Sequence, residues 1–153
     1  VLVGLADLHV KNRLRDYALL LLAQYHWPAY PTVKRPSTSL ASWIPLFEQF
    51  KVDLVCKADG HVIKRTLPIR ADEFDETGTV YLGKGGLRVA QRVRKLKRWF
   101  LQKPGMAHLG HHVQKITFPC DRLVYRCVLL EDGEVLDAYF KSARNHTSWQ
   151  CDR

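Results

Sequence analysis

Two short segments of the sequence carry side chains suited to metal or phosphate chemistry. His26 ends an apolar run and precedes Pro28, which restrains the chain and would hold the imidazole in a defined direction. Asp59 and His61 follow a second apolar run. Imidazole and carboxylate are the usual ligands of zinc, iron and manganese. On residue types alone, His26 could equally be a structural histidine packed between aromatic neighbours, and Asp-Gly is foremost a turn signal.

Further histidines and one acidic residue extend the set of candidates. His108, His111 and His112 are spaced by three and by one. No predicted strand or helix end gathers them, so we expect surface or loop histidines, although one could act as a general acid beside a substrate. Asp7 and His9 form a D-x-H triplet after an apolar N-terminal strand, and they are candidate metal ligands.

The net charge of the chain is +9, and much of the excess lies in one stretch. Such a charge favours acidic partners, among them nucleic acid and phosphorylated substrates. The stretch is either a solvated face or an electrostatic patch for phosphates. It has no stacking platform or recognised nucleic-acid motif, so only nonspecific binding of nucleic acid is expected. Its basic residues are Arg88, Arg92, Arg94, Lys95, Lys97, Arg98 and Lys103.

The elements that must position these residues begin with an α/β unit. Residues 17–23 form an apolar run of strand length, residues 40–50 have the spacing of an amphipathic helix, and residues 52–56 form a second strand. A strand, a helix and a strand in this order favour a parallel pair. Residues 79–82 predict another strand, and the mixed segment 63–69 is predicted to lead away from the sheet.

The tail has the pattern of an antiparallel sheet, with strands predicted over 113–118, 123–130 and 134–140 and an Asp-Gly hairpin turn between the last two. We expect a single domain over residues 1–153, α/β with an α+β tendency, in which a mixed sheet has an antiparallel C-terminal part and flanking helices. No apolar run approaches the roughly 20 residues of a membrane span. No signal-peptide pattern is found either, so no membrane partner is expected.

Several segments form a set of ordered motifs over about residues 17–140. They are His26-Trp27-Pro28-Ala29-Tyr30, Val52-Asp53-Leu54-Val55, His61-Val62-Ile63-Lys64-Arg65-Thr66-Leu67-Pro68 and Tyr81-Leu82-Gly83-Lys84-Gly85-Gly86. In this order they resemble the C-terminal half of a calcineurin-like metallophosphoesterase of the purple-acid-phosphatase-like kind. That family has H-x-P-x-Y after a strand, then V-D-L-V, G-H-x-H, x-Y-x-R-T and Y-x-G-x-G-G. The chain departs from G-H-x-H, because Asp59 stands at the position of the first histidine.

The resemblance implies a partial metallophosphoesterase β-sandwich, a dinuclear iron, manganese or zinc centre, and metal-dependent hydrolysis of a phosphoester substrate, as in acid phosphatases. It makes His26, Asp59 and His61 metal ligands, and Tyr30 and Arg65 substrate-binding residues. Three donors cannot hold two metal ions, so the other ligands would come from a missing N-terminal half or from a homodimer.

We therefore expect weak or no activity of the isolated chain. The alternative is a non-catalytic relic or a basic module that binds phosphate-bearing partners. Half of a two-sheet domain would also leave an unpaired sheet edge and exposed apolar area. Marginal stability, dimerisation or a rearranged single sheet would follow from this.

Overall fold

The computed structural model describes residues 20–33, 42–58, 60–84, 89–92, 97–119 and 122–143. The elements within this part of the chain are mostly short strands. In chain order they are β1 (Leu22–Tyr25), α1 (Trp43–Gln49), β2 (Leu54–Lys57), β3 (Ile63–Arg65), β4 (Ile69–Arg70), β5 (Glu73–Phe74), β6 (Val80–Gly83), a 3-10 helix (Trp99–Leu101), β7 (Met106–His108), β8 (His112–Thr117), β9 (Arg122–Leu129) and β10 (Val135–Ser142). The apolar strand predicted at the N-terminus, with Asp7 and His9, lies outside the described residues.

A five-stranded mixed sheet has the order β1-β2-β6-β3-β7. β1 is parallel to β2 and β2 is parallel to β6, whereas β3 is antiparallel to both of its neighbours. The predicted parallel pair is therefore confirmed. The prediction that residues 63–69 lead away from the sheet is wrong, because Ile63–Arg65 lies between β6 and β7. Lys64 and Arg65 are charged but buried there. Because strands are predicted from the alternation of apolar residues, this strand is not apparent in the sequence.

The helix α1 covers one face of this sheet. It is shorter than predicted, and its Pro45 lies in the first turn, where proline removes no intrahelical hydrogen bond. Phe47 is buried in a cluster with Val55 of β2 and Tyr81 of β6, and Phe100 of the 3-10 helix joins the same cluster. The helix is thus held by its apolar face. Among the described residues, no helix is long and apolar enough to cross a membrane.

A second, antiparallel sheet covers the opposite face. Its order is β10-β9-β8, as the alternation in the tail predicts. Alternate residues of β9, including Leu123, Tyr125 and Cys127, are buried against Leu54 and Val80 of the central sheet. The described residues therefore form two stacked sheets, which is the sandwich expected from the sequence and not a rearranged single sheet.

Polar contacts also join the two sheets. Asp53, at the start of β2, accepts a hydrogen bond of 2.8 Å from the backbone N–H of Leu21 and lies 3.3 Å from the ammonium group of Lys141 on β10. The side-chain amide of Gln114 on β8 donates a hydrogen bond of 2.8 Å to the carbonyl oxygen of Gly83. These contacts fix the second sheet against the ends of β2 and β6.

Candidate functional site

A cleft lies at the edge of the central sheet where the parallel strands β1, β2 and β6 end. Its cavity volume is about 10 Å³, room for about one water molecule, and it is partly open to solvent. The loop after β1 lines it with Pro28 and Pro31, and the loop after β2 lines it with Gly60. Lys57 and Lys64 complete the lining from the strands themselves. Ligands of open α/β sheets commonly bind at such an edge.

His26 directly follows β1, as the sequence predicts for a residue at a strand end. Its side chain is exposed, and its ring meets the ring of Trp27 edge to face, with 6.1 Å between the ring centroids. Pro28 and Tyr30 of the same motif are buried. The loop is therefore anchored by its proline and tyrosine, while the imidazole faces outward.

His61 lies in the turn between β2 and β3. Its backbone φ is 48°, a left-handed conformation that is uncommon outside glycine and that marks a sharp turn. The side chain is half-buried, and its Nδ1 lies 3.1 Å from the carbonyl oxygen of Ala90. If Nδ1 donates to this carbonyl, the other ring nitrogen is the one left for a ligand. Asp59, the third predicted ligand, lies outside the described residues.

Lys57 and Lys64 lie on the two strands that flank Gly83. The sequence does not predict this arrangement. Lys57 of β2 is in register with Gly83 of β6, and Lys64 of β3 is in register with the same glycine. A Cβ atom at Gly83 would lie 2.8 Å from the Cβ of Lys64. Because Gly83 has no side chain, the two lysines can lean toward each other over the central strand. Opposed residues of adjacent strands point to the same face, so both ammonium groups approach the cleft.

The surroundings of the two ammonium groups are apolar. Lys57 is 3% exposed and its Nζ lies over the ring of Tyr81, 5.6 Å from the centroid. Lys64 is also 3% exposed, lies near the ring of Phe100, and donates to the carbonyl oxygen of Tyr30. The Nζ of Lys57 has no hydrogen-bond acceptor among the described residues. Two protonated lysines have no acceptor to offer each other, so the charged form of Lys57 is left unsatisfied, whereas the lone pair of an uncharged Lys57 can accept a hydrogen bond from Lys64.

Burial weakens the charged forms of both lysines. It lowers the pKa of Lys57 well below its ordinary value, and the nearby charge of Lys64 lowers it further. Burial lowers the pKa of Lys64 to about 8. An unpaired buried charge is costly, and such a group either loses its proton or gains a counter-ion. The sequence does contain one indication that Lys57 is buried. It lies two residues after Val55, so the two side chains point to the same face of the strand, and Val55 is buried.

Tyr30 and Arg65, predicted from the resemblance to bind substrate, are both buried in packed surroundings. The ring of Tyr30 lies 4.8 Å from the ring of Tyr81 and 5.4 Å from that of Phe100, in edge-to-face contact. Arg65 forms a two-pronged ion pair with Asp137 of β10, with both N···O distances at 2.8 Å. This placement favours a structural role for Arg65 between the sheets. A substrate-binding role for either residue stays a prediction.

The later histidines do not form one cluster around a ligand. His108 ends β7 and is exposed, whereas His112 begins β8 and is 5% exposed. The expectation of surface or loop histidines is therefore wrong for His112. Its Nδ1 lies 3.4 Å from the carbonyl oxygen of Gly110, and burial lowers its pKa despite this contact. Of the basic stretch, Arg88, Arg94 and Lys95 lie outside the described residues.

A dinuclear metal centre does not fit the part of the chain that the structure describes. That part contains no group of three or more His, Cys, Asp or Glu side chains that could hold a metal ion. Two imidazoles, from His26 and His61, are too few for two ions. The cleft between their loops is also lined by two lysines, whose charged forms would repel divalent cations in a setting of low dielectric constant. The metal roles of His26, Asp59 and His61 therefore stay predictions.

The stacked sheets and the helix between β1 and β2 define the fold of the chain. The chain has a purple-acid-phosphatase-like metallophosphoesterase fold. It is similar to the structure of purple acid phosphatase PPD1 from seeds of yellow lupin (Lupinus luteus), with a TM-score of 0.70 and 17% sequence identity over 88% of this chain. The fold expected from the sequence motifs is thereby confirmed.

A second similar structure is GAP50, described as the anchor in the inner membrane complex of Plasmodium. The TM-score is 0.59 and the sequence identity 16% over 91% of this chain. The chain spans 27% of the lupin phosphatase chain and 44% of the GAP50 chain. No protein-family model matches the sequence, and no curated protein matches it. At these identities the similarity establishes the fold and leaves activity to experiment.

Proposed function

We propose that the chain is a phosphoesterase-derived domain that recognises phosphate-bearing ligands and that hydrolyses phosphoesters weakly or not at all by itself. One observation carries the proposal: the strand-end loops of a metallophosphoesterase fold surround a cleft that contains two buried lysines, Lys57 and Lys64. The fold supports descent from phosphoester chemistry. The lysines favour anions over metal cations in the cleft.

Metal-dependent hydrolysis would need more ligands than these residues provide. His26, Asp59 and His61 are three donors, and an iron, manganese or zinc pair held in a two-metal site requires a larger set. An N-terminal half or a second copy of the chain would have to supply the remainder. The isolated chain is therefore expected to contain bound metal at less than one equivalent.

Hydrolysis of p-nitrophenyl phosphate tests the proposal directly. With manganese, iron or zinc added, we expect release of p-nitrophenol at the rate of the matching metal-only solution. The control is a variant with His26→Ala and His61→Ala, which should behave like the parent chain. Metal-dependent turnover by the parent that is absent from the double variant would contradict the proposal and would establish an active metal site.

Metal analysis of the purified chain gives an independent measurement. Purification without chelators, followed by elemental analysis, should give substoichiometric iron, manganese and zinc. Two tightly bound ions per chain would show that the chain alone completes a dinuclear centre, contrary to the donor set described above.

A further inference from the structure

The Nζ of Lys57 is a buried hydrogen-bond donor without an acceptor among the described residues. Native proteins satisfy nearly all buried polar groups, and each exception needs a physical reason. One recurrent reason is a ligand that supplies the missing acceptor. Lys57 has three N–H groups to offer and lies beside a second lysine, so the acceptor that fits best is an anion with several oxygens.

The position of the two lysines also indicates a ligand. Lys57 ends a parallel strand, and Lys64 lies beside the end of the next parallel strand at Gly83. Both residues are in register with Gly83, and a Cβ atom there would collide with the side chain of Lys64. Two cations that converge at the carboxyl edge of a sheet are arranged for an anion and not for a packed core. A core would accept methionine or leucine at these sites with less cost.

We propose that Lys57 and Lys64 form a binding site for a phosphoryl group, and that this lysine pair provides the positive charge that a metal centre would otherwise provide in the cleft. The inference rests on the proposed function, since it names the residues that receive the phosphate. The phosphoryl oxygens accept hydrogen bonds from Lys57 and from Lys64, which otherwise contacts the carbonyl oxygen of Tyr30. Such charge-assisted bonds are shorter and stronger than neutral ones.

The shape of the cleft restricts the ligand. The cleft is lined by Pro28, Pro31 and Gly60, has a volume of about 10 Å³ and is partly open to solvent. The phosphoryl group therefore enters only when side chains that line the cleft move apart, and the open side leaves the remainder of a phosphomonoester in solvent. The Nζ of Lys57 is closed to water in the unliganded chain, so binding requires a rotation of this side chain toward the cleft.

Calorimetric titration of inorganic phosphate into the full 153-residue chain, at constant ionic strength, tests the site. We expect Lys57→Met and Lys64→Met each to weaken phosphate binding by roughly tenfold or more, as for loss of a hydrogen bond to a charged group. Lys115→Met is the matched control: it removes the same charge from an exposed position on β8, and it should leave the affinity unchanged. Equal losses in all three variants would show only a general charge effect and would overturn the inference.

A second titration, with phenyl phosphate, separates the inference from the proposed function. If the parent chain binds phenyl phosphate and Lys57→Met binds it equally well, the lysine site is wrong and phosphoester recognition stands. If the parent chain binds neither inorganic phosphate nor phenyl phosphate, the proposed function is wrong as well. Tighter binding of phenyl phosphate than of inorganic phosphate would identify an ester as the preferred ligand.

Thermal unfolding shows that the variants are folded and gives a second signature of the site. Without phosphate, Lys57→Met should melt at a higher temperature than the parent, because it replaces a buried polar group by an apolar side chain of similar length. Phosphate should raise the Tm of the parent by mass action and raise that of Lys57→Met by much less. A parent Tm that does not respond to millimolar phosphate would contradict the site.

Discussion

Lys57 carries its ammonium group where water does not reach it. The residue is tolerated because its Nζ lies over the ring of Tyr81 and because loss of a proton relieves the charge. Stability of the folded chain and binding of an anion therefore favour different protonation states of Lys57. The folded chain alone favours the uncharged amine, whereas an anion in the cleft favours the ammonium form.

A pH-dependent stability is expected from His112. Burial is the main cause of its lowered pKa, so the folded chain binds this proton less readily than the unfolded chain, whose histidine pKa is about 6.5. The stability that uncharged His112 provides is complete above about pH 6.5 and decreases as the pH falls toward the folded-state pKa. Urea unfolding at about pH 7.5 and about pH 5 measures this loss.

His112→Asn isolates the contribution of this histidine from those of the other titrating groups. The asparagine amide can still donate to the carbonyl oxygen of Gly110, which the His112 Nδ1 contacts at 3.4 Å. The variant should lose less stability between the two pH values than the parent does. Equal losses in the two proteins would mean that His112 does not contribute to the acid sensitivity.

At this scale the sequence predicts only part of the candidate site. His26 and His61 were found because imidazoles after apolar runs are a recognisable pattern, and both lie at the expected ends of elements. Lys57 and Lys64 were missed because lysine is almost always a surface residue. Both pair with Gly83, which lies 19 residues after Lys64 and 26 residues after Lys57 in sequence, and no local pattern reveals that pairing.

Among the elements, β3 and β10 are joined by the buried pair of Arg65 and Asp137. Both side chains are 8% exposed, and the guanidinium group also lies 5.4 Å from the ring centroid of Tyr139. A buried pair adds little stability over a good apolar packing, but removal of one partner leaves the other charge without compensation. The pair therefore fixes how the second sheet sits on the first.

Asp137→Asn should destabilise the chain by roughly 3–5 kcal/mol, the typical result of breaking a buried ion pair. Asp75→Asn is the matched control, since Asp75 pairs with Arg70 at 3.0 Å on the surface. The same substitution there should change stability far less, because exposed ion pairs are screened by solvent. Denaturant midpoints give both values. Similar losses in the two variants would show that the pair between the sheets contributes no more to stability than the surface pair does.

The helices and strands were easier to predict than the contacts between distant segments. The helix α1, the parallel pair and the antiparallel tail follow from periodicity and turn residues, which act over short distances. β3 was not predicted, because two of its three residues, Lys64 and Arg65, are charged. Each is buried by contacts with distant parts of the chain, Tyr30 and Asp137 respectively. Contacts with residues distant in sequence therefore decide that this segment forms a strand.

For the whole molecule, the net charge of +9 provides a long-range attraction for anions. That attraction is distinct from the lysine cleft. Exposed charges act through solvent and are screened within about 8 Å at physiological salt, whereas a desolvated pair is screened much less. The two modes of anion binding should therefore respond differently to salt.

Single-stranded DNA should bind the chain weakly, without sequence preference, and binding should vanish by about 0.2 M salt. Fluorescence anisotropy with two oligonucleotides of unrelated sequence measures both properties. Lys57→Met should bind each oligonucleotide as the parent does, because the Nζ of Lys57 is buried. A preference for one sequence, or affinity that persists at 0.2 M salt, would indicate a dedicated nucleic-acid site instead.

Because of the strand order of the central sheet, the lysine cleft forms only when the sheet is fully assembled. Lys57 and Lys64 are close in sequence, yet they lie on strands that are separated in space by β6. Until β6 inserts between them, β2 and β3 cannot bring the two ammonium groups together over Gly83. Phosphate then binds only the chain in which this non-local insertion is complete. It would slow the withdrawal of β6 and shift a partly assembled population toward the native state.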